Sequence, residues 1–216
     1  MFNLRKKAVS IIETVIAVAI FLILMGIVFR ALVTSRNIFL KSSARSYLVG
    51  VANNALEQIR KDLAETNVNY SRISSDINDL NVNSPTSAGP VIIFSVPTDT
   101  DSDGSVLTSA GVLQWGAGVG NNSNYRIRYR MDTVNNYLMR EIITCSGSAG
   151  SYSCNVVSPA SDNAKIIAQR VSSVVPIVFT RKSSDTAIEV NLNLKDIKFA
   201  SGDVKTSQTI RVKLRN

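Results

Sequence analysis

One carboxylate, Glu13, interrupts an apolar run that extends from Val9 to Phe29. An ionised side chain at the centre of a bilayer costs about 2.5–3.5 kcal/mol on insertion scales. Three explanations are open: a buried pair that sets the register of an assembly, a carboxylate tolerated near the cytoplasmic interface, or a proton or ion pathway. The pair is favoured, because a carboxylate in lipid gains most from a cation that also lacks water.

Three aspartates alternate in the segment "PTDTDSDGSV": Asp99, Asp101 and Asp103, with Gly104 next. An EF-hand loop begins in the same order, with carboxylates at positions one, three and five and then a glycine for the sharp turn. Ala110 stands where the bidentate glutamate of position twelve is expected. The segment predicts either a calcium site that stiffens the loop, with backbone or distant ligands, or a solvated acidic turn.

Two cysteines, Cys145 and Cys154, lie close together in a Ser- and Gly-rich stretch. The chain has no CxxC pair, which argues against a structural zinc and against a thioredoxin-like site. A membrane segment upstream indicates an oxidising compartment, so a local disulfide is the favoured interpretation. Two buried or free thiols are the alternative if this part of the chain stays in the cytoplasm.

Arginines alternate with apolar and aromatic residues in "YRIRYRM". As a strand, this segment places Arg126, Arg128 and Arg130 on one face and Tyr125 and Tyr129 on the other. A basic face can bind phosphates, but tyrosines on the opposite face cannot stack on bases beside those arginines. We therefore expect an ordinary solvated face, with a subunit contact as the second possibility and nucleic-acid binding as the least favoured.

The composition argues against an enzyme. The 216 residues include no histidine, which removes the commonest general base and every Ser–His or Cys–His nucleophile pair. The glycine-rich segment "GVLQWGAGVGNNSNY" lacks the GK[ST] of a phosphate-binding loop. Without Arg5, Lys6 and Lys7 the chain has 21 basic against 16 acidic residues, or +5, an excess too mild to indicate nucleic acid. No cofactor other than calcium is expected.

A long helix and a sheet must position these residues. The apolar run has about the 20 residues that a helix needs to cross a bilayer, and the basic residues before it place the N-terminus in the cytoplasm. Residues 9–30 are therefore expected to span the membrane and residues 31–66 to continue as an amphipathic half. Six apolar residues recur there at spacings of three and four and form one stripe: Leu48, Ala52, Ala55, Leu56, Ile59 and Leu63.

The apolar period changes from 3.6 to 2 in residues 67–216, which predicts a β-rich head. "PVIIFSV" indicates a buried strand, and "YRIRYRM" and "YLMREII" flank the turn "DTVNN" as a hairpin. One-sided alternation is typical of an antiparallel sheet with one solvated face. The predicted fold is therefore α+β: a long, protruding N-terminal helix whose apolar stripe packs on an antiparallel sheet.

The N-terminus resembles the class III prepilin leader of the type IV pilin-like family. The resemblance rests on the short basic head, the segment "AVSIIE" and the position of Glu13. It implies that residues 1–8 are a leader, that a prepilin peptidase cuts between Ala8 and Val9, and that the new amine of Val9 is methylated. The family usually has glycine before the cut and phenylalanine after it, where this chain has alanine and valine.

The later sequence is similar to that of minor pseudopilins of the J type, in its "YRIRYRMDTVNNYLMREI" hairpin and its "IRVKLRN" end. The resemblance implies a structural minor subunit of a type IV pilus-like or type II secretion filament. Its partners would be other pilin or pseudopilin subunits, the prepilin peptidase and an inner-membrane assembly platform. Glu13 would face the freed amine of a neighbouring subunit, and the head would lie in the periplasm or outside the cell.

The alternative function is a single-pass, membrane-anchored binding protein or adhesin that does not polymerise. It accounts for the apolar span, but not for Glu13 or for the amphipathic continuation of the helix. A Sec-type signal peptide fits less well, because its apolar region has only about 7–15 residues.

Overall fold

The computed structural model describes residues 11–66, 71–73, 91–117, 125–146, 153–173, 176–181, 187–196 and 203–214. The class is α+β, as predicted. The described elements are α1 (Ile11–Glu65), β1 (Ser71–Ile73), β2 (Val91–Phe94), β3 (Val96–Pro97), β4 (Trp115–Gly116), β5 (Tyr125–Asp132), β6 (Tyr137–Ser146), β7 (Ser153–Val156), α2 (Ala160–Asn163), β8 (Ala164–Ala168), β9 (Ile177–Arg181), β10 (Ala187–Asp196) and β11 (Val204–Lys213). The chain forms two compact units, Met1–Ala44 and Arg45–Asn216.

The predicted long helix is confirmed over the described residues. It runs without interruption from Ile11 to Glu65, in a stretch that contains no proline. It ends where the Thr66 N–H donates to the Leu63 carbonyl at 3.2 Å and the Thr66 hydroxyl donates to the Ser95 carbonyl at 2.5 Å. Val9, the predicted first helical residue, lies outside the described residues.

In the first unit, the α1 segment is exposed on every face. Each side chain from Ile11 to Leu40 is exposed, including large apolar ones such as Ile23 and Phe29, at 65% and 69%. A helix that is apolar all round is typical of a membrane span or of a helix enclosed by others. This one is long and apolar enough to cross a membrane.

In the second unit, α1 buries a single stripe. Its six buried residues are those that the sequence spacing predicts, Leu48, Ala52, Ala55, Leu56, Ile59 and Leu63, each at most 2% exposed. Burial starts close to the boundary between the units, which falls inside the predicted amphipathic segment 31–66. Burying apolar area stabilises the folded state by about 25 cal/mol per Å². The stripe therefore holds α1 in the second unit, but it does not fix the orientation of the helix.

The described strands form three antiparallel sheets, where the sequence predicts one. The largest has the order β1-β2-β5-β6-β7, with β8 also paired to β6; the second has the order β11-β10-β9; β3 pairs with β4. The predicted hairpin is confirmed as β5 and β6, with Asp132 opposite Tyr137. Its turn is closed by Asp132, whose Oδ1 accepts from the N–H groups of Val134 and Asn135.

The prediction of one solvated face holds for the second sheet and fails for the first. Along β10, buried aliphatic residues alternate with half-buried polar ones. At the centre of β5 both faces are buried: Ile127 and Tyr129 on one, and Arg128 on the other, only 2% exposed. The interpretation of the arginine row as an ordinary solvated face is therefore wrong for Arg128.

Candidate functional site

Glu13 lies in the first turn of α1, on the segment that is exposed all round. A carboxylate near the N-terminal end of a helix interacts favourably with the helix dipole. Ile16 and Ala17, one turn further on, share its side of the helix, because residues three and four apart are neighbours. Ala8 and Val9, the predicted cleavage and methylation positions, lie outside the described residues. The helix therefore presents a carboxylate on an apolar surface.

Asp62 ties the last turns of α1 to the largest sheet. Its Oδ2 accepts from the Tyr129 hydroxyl and from Arg140 Nε, each at 2.7 Å, and its Oδ1 accepts from Gln58 Nε2 at 3.0 Å. Tyr129 is fully buried and stacks on Phe94 with ring centroids 6.0 Å apart. We call Asp62, Tyr129 and Arg140 the Asp62 lock; sequence spacing does not mark it, because the three residues come from three different elements.

The protonation of the Asp62 lock is fixed by burial and by charge. Burial raises the pKa of the Tyr129 hydroxyl, and the negative charge of Asp62 raises it further. Burial acts to lower the pKa of Arg140, but the hydrogen bond to Asp62 and its charge outweigh this effect and raise it. Both groups therefore keep their protons near neutral pH and remain hydrogen-bond donors to Asp62.

The three aspartates of the predicted calcium loop come together. Carboxylate oxygens of Asp99, Asp101 and Asp103 lie within 4.8 Å of one another. Asp99 closes the turn by accepting from the N–H groups of Ser102 at 2.7 Å and of Gly104 at 2.8 Å. Gly104 has φ 83°, in the left-handed region that favours glycine. The predicted sharp turn is therefore present.

Gln114, which sequence spacing does not mark, holds the loop from its other side. Its Nε2 donates to Asp101 Oδ2 at 2.8 Å, and its Oε1 accepts from the Thr100 hydroxyl at 2.6 Å and from the Thr100 N–H. The hydrogen bond from Gln114 lowers the pKa of Asp101. The donor set suits calcium, but an ion would share several of these oxygens with N–H donors, so calcium binding stays a prediction.

On the other face of β5, Glu141 binds two arginines. Arg128 reaches Glu141 Oε2 through Nε and Nη2, both at 2.7 Å. Arg130 reaches Oε1 through Nε at 2.9 Å and Nη2 at 2.8 Å. The side chains of Arg128, Arg130 and Glu141 are 2%, 14% and 1% exposed. Spacing along the chain does not reveal this cluster, because only the strand register places Glu141 opposite Arg128.

Cys145 and Cys154 form a disulfide, so the favoured interpretation is confirmed and the free-thiol alternative is wrong. The two residues lie directly opposite each other on β6 and β7. Cys154 belongs to a buried apolar cluster with Val91, Ile93 and Ile143, and Cys145 packs against it. The bond therefore fixes the pairing of two neighbouring strands beside the apolar cluster.

No family model, no curated protein and no solved structure matches the chain. Its function must therefore be inferred from its own residues. Among the residues that the structure describes, the aspartate loop is the one group of three or more His, Cys, Asp and Glu side chains close enough to share a metal ion. The Asp62 lock holds α1 on the largest sheet. The ion pairs of Glu141 with Arg128 and Arg130 hold β5 and β6 together.

Tyr129 should make the second unit sensitive to alkali. Its pKa is raised in the folded chain and is about 10 when unfolded. Above about pH 10 the unfolded state therefore loses a proton that the folded state keeps, and stability falls as pH rises. Tyr129→Phe should cost about 0.5–1.5 kcal/mol at neutral pH, through the lost hydrogen bond, and should flatten the alkaline decline. Urea unfolding of the full chain in detergent micelles, repeated across this pH range, measures both; an unchanged slope contradicts the assignment.

Calcium should raise the melting temperature of the chelator-treated chain if the aspartate loop binds it, because the cation relieves repulsion among three carboxylates. The expected rise is about 2–4 °C, which corresponds to ~1 kcal/mol for a chain of this size. Replacing Asp101 and Asp103 together by asparagine should abolish the rise. Asp203→Asn, at an exposed aspartate, is the matched control and should retain it. A melting temperature that does not change with calcium up to ~1 mM would exclude the site.

Proposed function

We propose that the chain is a structural minor subunit, a minor pilin or pseudopilin, of a type IV pilus-like or type II secretion filament. The observation that carries the proposal is the change along α1, which is exposed and apolar on all faces up to Leu40 and buries only one stripe from Leu48 to Leu63. The first part suits a membrane and then a bundle of helices from other subunits. The second part suits permanent attachment to a folded head.

Glu13 supplies the register in this proposal. Cleavage before Val9 creates an α-amine, and in a bundle the amine of one subunit and the carboxylate of the next can pair away from water. Opposite charges attract strongly in a low dielectric, but an unpaired ion there costs several kcal/mol. A subunit that is inserted one helical turn out of position loses this pair, so the pair selects the correct position.

The location and the partners follow from the same helix. We infer that α1 crosses the inner membrane with its basic head in the cytoplasm. The second unit then lies in the periplasm or outside the cell, where the Cys145–Cys154 disulfide persists. The partners are other pilin or pseudopilin subunits, the prepilin peptidase and the inner-membrane assembly platform. Arg128 argues against nucleic acid as a partner, because its side chain is buried on Glu141.

Glu13→Gln should leave membrane insertion intact and should slow incorporation into filaments at least about tenfold, since raising the barrier by ~1.4 kcal/mol slows a rate by that factor. Incorporation is measured as the labelled subunit that moves from the membrane fraction to sheared filaments. Glu57→Gln is the matched control, because Glu57 is on α1 in an exposed pair with Arg60, and such pairs contribute little. Incorporation of the Glu13→Gln chain at the native rate would contradict the proposed pair between Glu13 and the α-amine.

The second candidate function is a membrane-anchored binding protein or adhesin that does not polymerise, which the same apolar helix supports. The mature N-terminus separates the two functions. A filament subunit should have lost residues 1–8, with or without a methyl group on the Val9 amine, and intact-mass measurement detects both changes. Ala8→Arg should block the cut, and Lys6→Arg should not. An uncleaved native chain supports the anchor.

A further inference from the structure

Among the residues that the structure describes, two guanidinium nitrogens on the buried face of β5 have no hydrogen-bond partner. They are Arg128 Nη1 and Arg130 Nη1, both shielded from solvent. The Nε and Nη2 atoms of each arginine are directed to Glu141. A guanidinium is planar and rigid, so Nη1 projects on the far side from the edge that binds the carboxylate. Glu141 therefore cannot satisfy these two donors.

The charges around Glu141 do not balance. Arg128 and Arg130 are both permanently protonated, and Glu141 offers them one negative charge. Asp132 lies on the same face of β5, and its pKa is lowered first by a hydrogen bond from Asn135 and only last by the charge of Arg130. Both Asp132 oxygens accept from the hairpin turn, Oδ1 from two backbone N–H groups and Oδ2 from Asn135 Nδ2. These neutral donors leave the Asp132 charge in place, but its interaction with Arg130 is the smallest of those on Asp132. Arg128, Arg130 and Glu141 by themselves therefore carry an excess of one positive charge.

The surroundings make that excess charge costly. Ile93 lies beside Arg128 in the strand register, and Val91 beside Arg130. Both belong to the buried apolar cluster that also includes Ile143. A charge held among apolar groups loses several kcal/mol of hydration, and its attraction for an opposite charge rises in the low dielectric. Water can accept from the two Nη1 atoms but cannot neutralise the charge.

We propose that Arg128 and Arg130 bind a small monoanion, a chloride or a carboxylate, at their Nη1 atoms. A single negative charge neutralises the cluster, whereas a dianion would reverse its sign. Arginine N–H groups are strong donors to either anion. Arg130, at 14% exposure, is the more exposed of the two arginines. This site is independent of filament assembly and of the aspartate loop.

The test compares melting temperatures of the full chain in detergent micelles at fixed ionic strength, as sodium isethionate is replaced by sodium chloride or sodium acetate. An anion that binds only the folded state stabilises it, and the native melting temperature should rise by about 2–4 °C. Arg130→Gln removes the excess charge and should lose the rise. Lys213→Gln removes one positive charge from an exposed position on β11 and should keep it. The chloride and acetate arms identify which anion is preferred.

Equal anion dependence in the native and Arg130→Gln chains overturns the proposal, because it shows that the effect is not at this cluster. Should Arg130→Gln fail to fold, the native chain decides by NMR. Chloride or acetate signals should then broaden in a saturable way, each anion should displace the other, and Lys213→Gln should leave the broadening unchanged. Broadening that does not saturate, or is absent for both anions, also overturns the site.

Discussion

The carboxylate of Asp62 fixes the position of α1 on the sheet. The apolar stripe of α1 provides attraction without direction, because hydrophobic burial depends on area and not on orientation. Asp62 accepts from Tyr129 on β5 and from Arg140 on β6, both at 2.7 Å, and only one axial position of the helix allows both bonds. The Thr66 hydroxyl adds a third directional contact at the end of the helix, to the Ser95 carbonyl. With α1 fixed, one face of the β5–β6 hairpin is covered.

The long helix and its buried stripe could be predicted from the sequence because their signal is local. Spacings of three and four identify all six buried residues between Leu48 and Leu63. The hairpin is equally local, since the turn residues lie between two alternating segments. The disulfide was predictable because the chain has only two cysteines. In each case the residues that determine the structure are close in sequence or have a single possible partner.

The buried charges could not be predicted from the sequence, because their partners come from neighbouring strands and several partners are possible. Arginines that alternate with apolar residues have the pattern of a solvated face, yet Arg128 is buried because β6 brings Glu141 opposite it. Register, not spacing, creates that pair. Gln114 could not be predicted either. The spacing of the aspartates predicts that they lie close together, but the side chain that orients Asp101 lies 13 residues away. Patterns along a strand do not specify what its neighbour presents.

Glu141 lies away from water in the folded chain, and Glu13 would do so in the filament that we propose. Glu141 receives its cations from the neighbouring strand, so the fold of one chain supplies the counter-charge. Glu13 belongs to a stretch, Ile11–Phe29, that contains no lysine and no arginine. In the proposed filament, other helices would enclose that stretch and another subunit would supply the counter-charge. In the filament that we propose, the freed amino terminus of another subunit would have the required charge, and the pair would form when two chains assemble in one register.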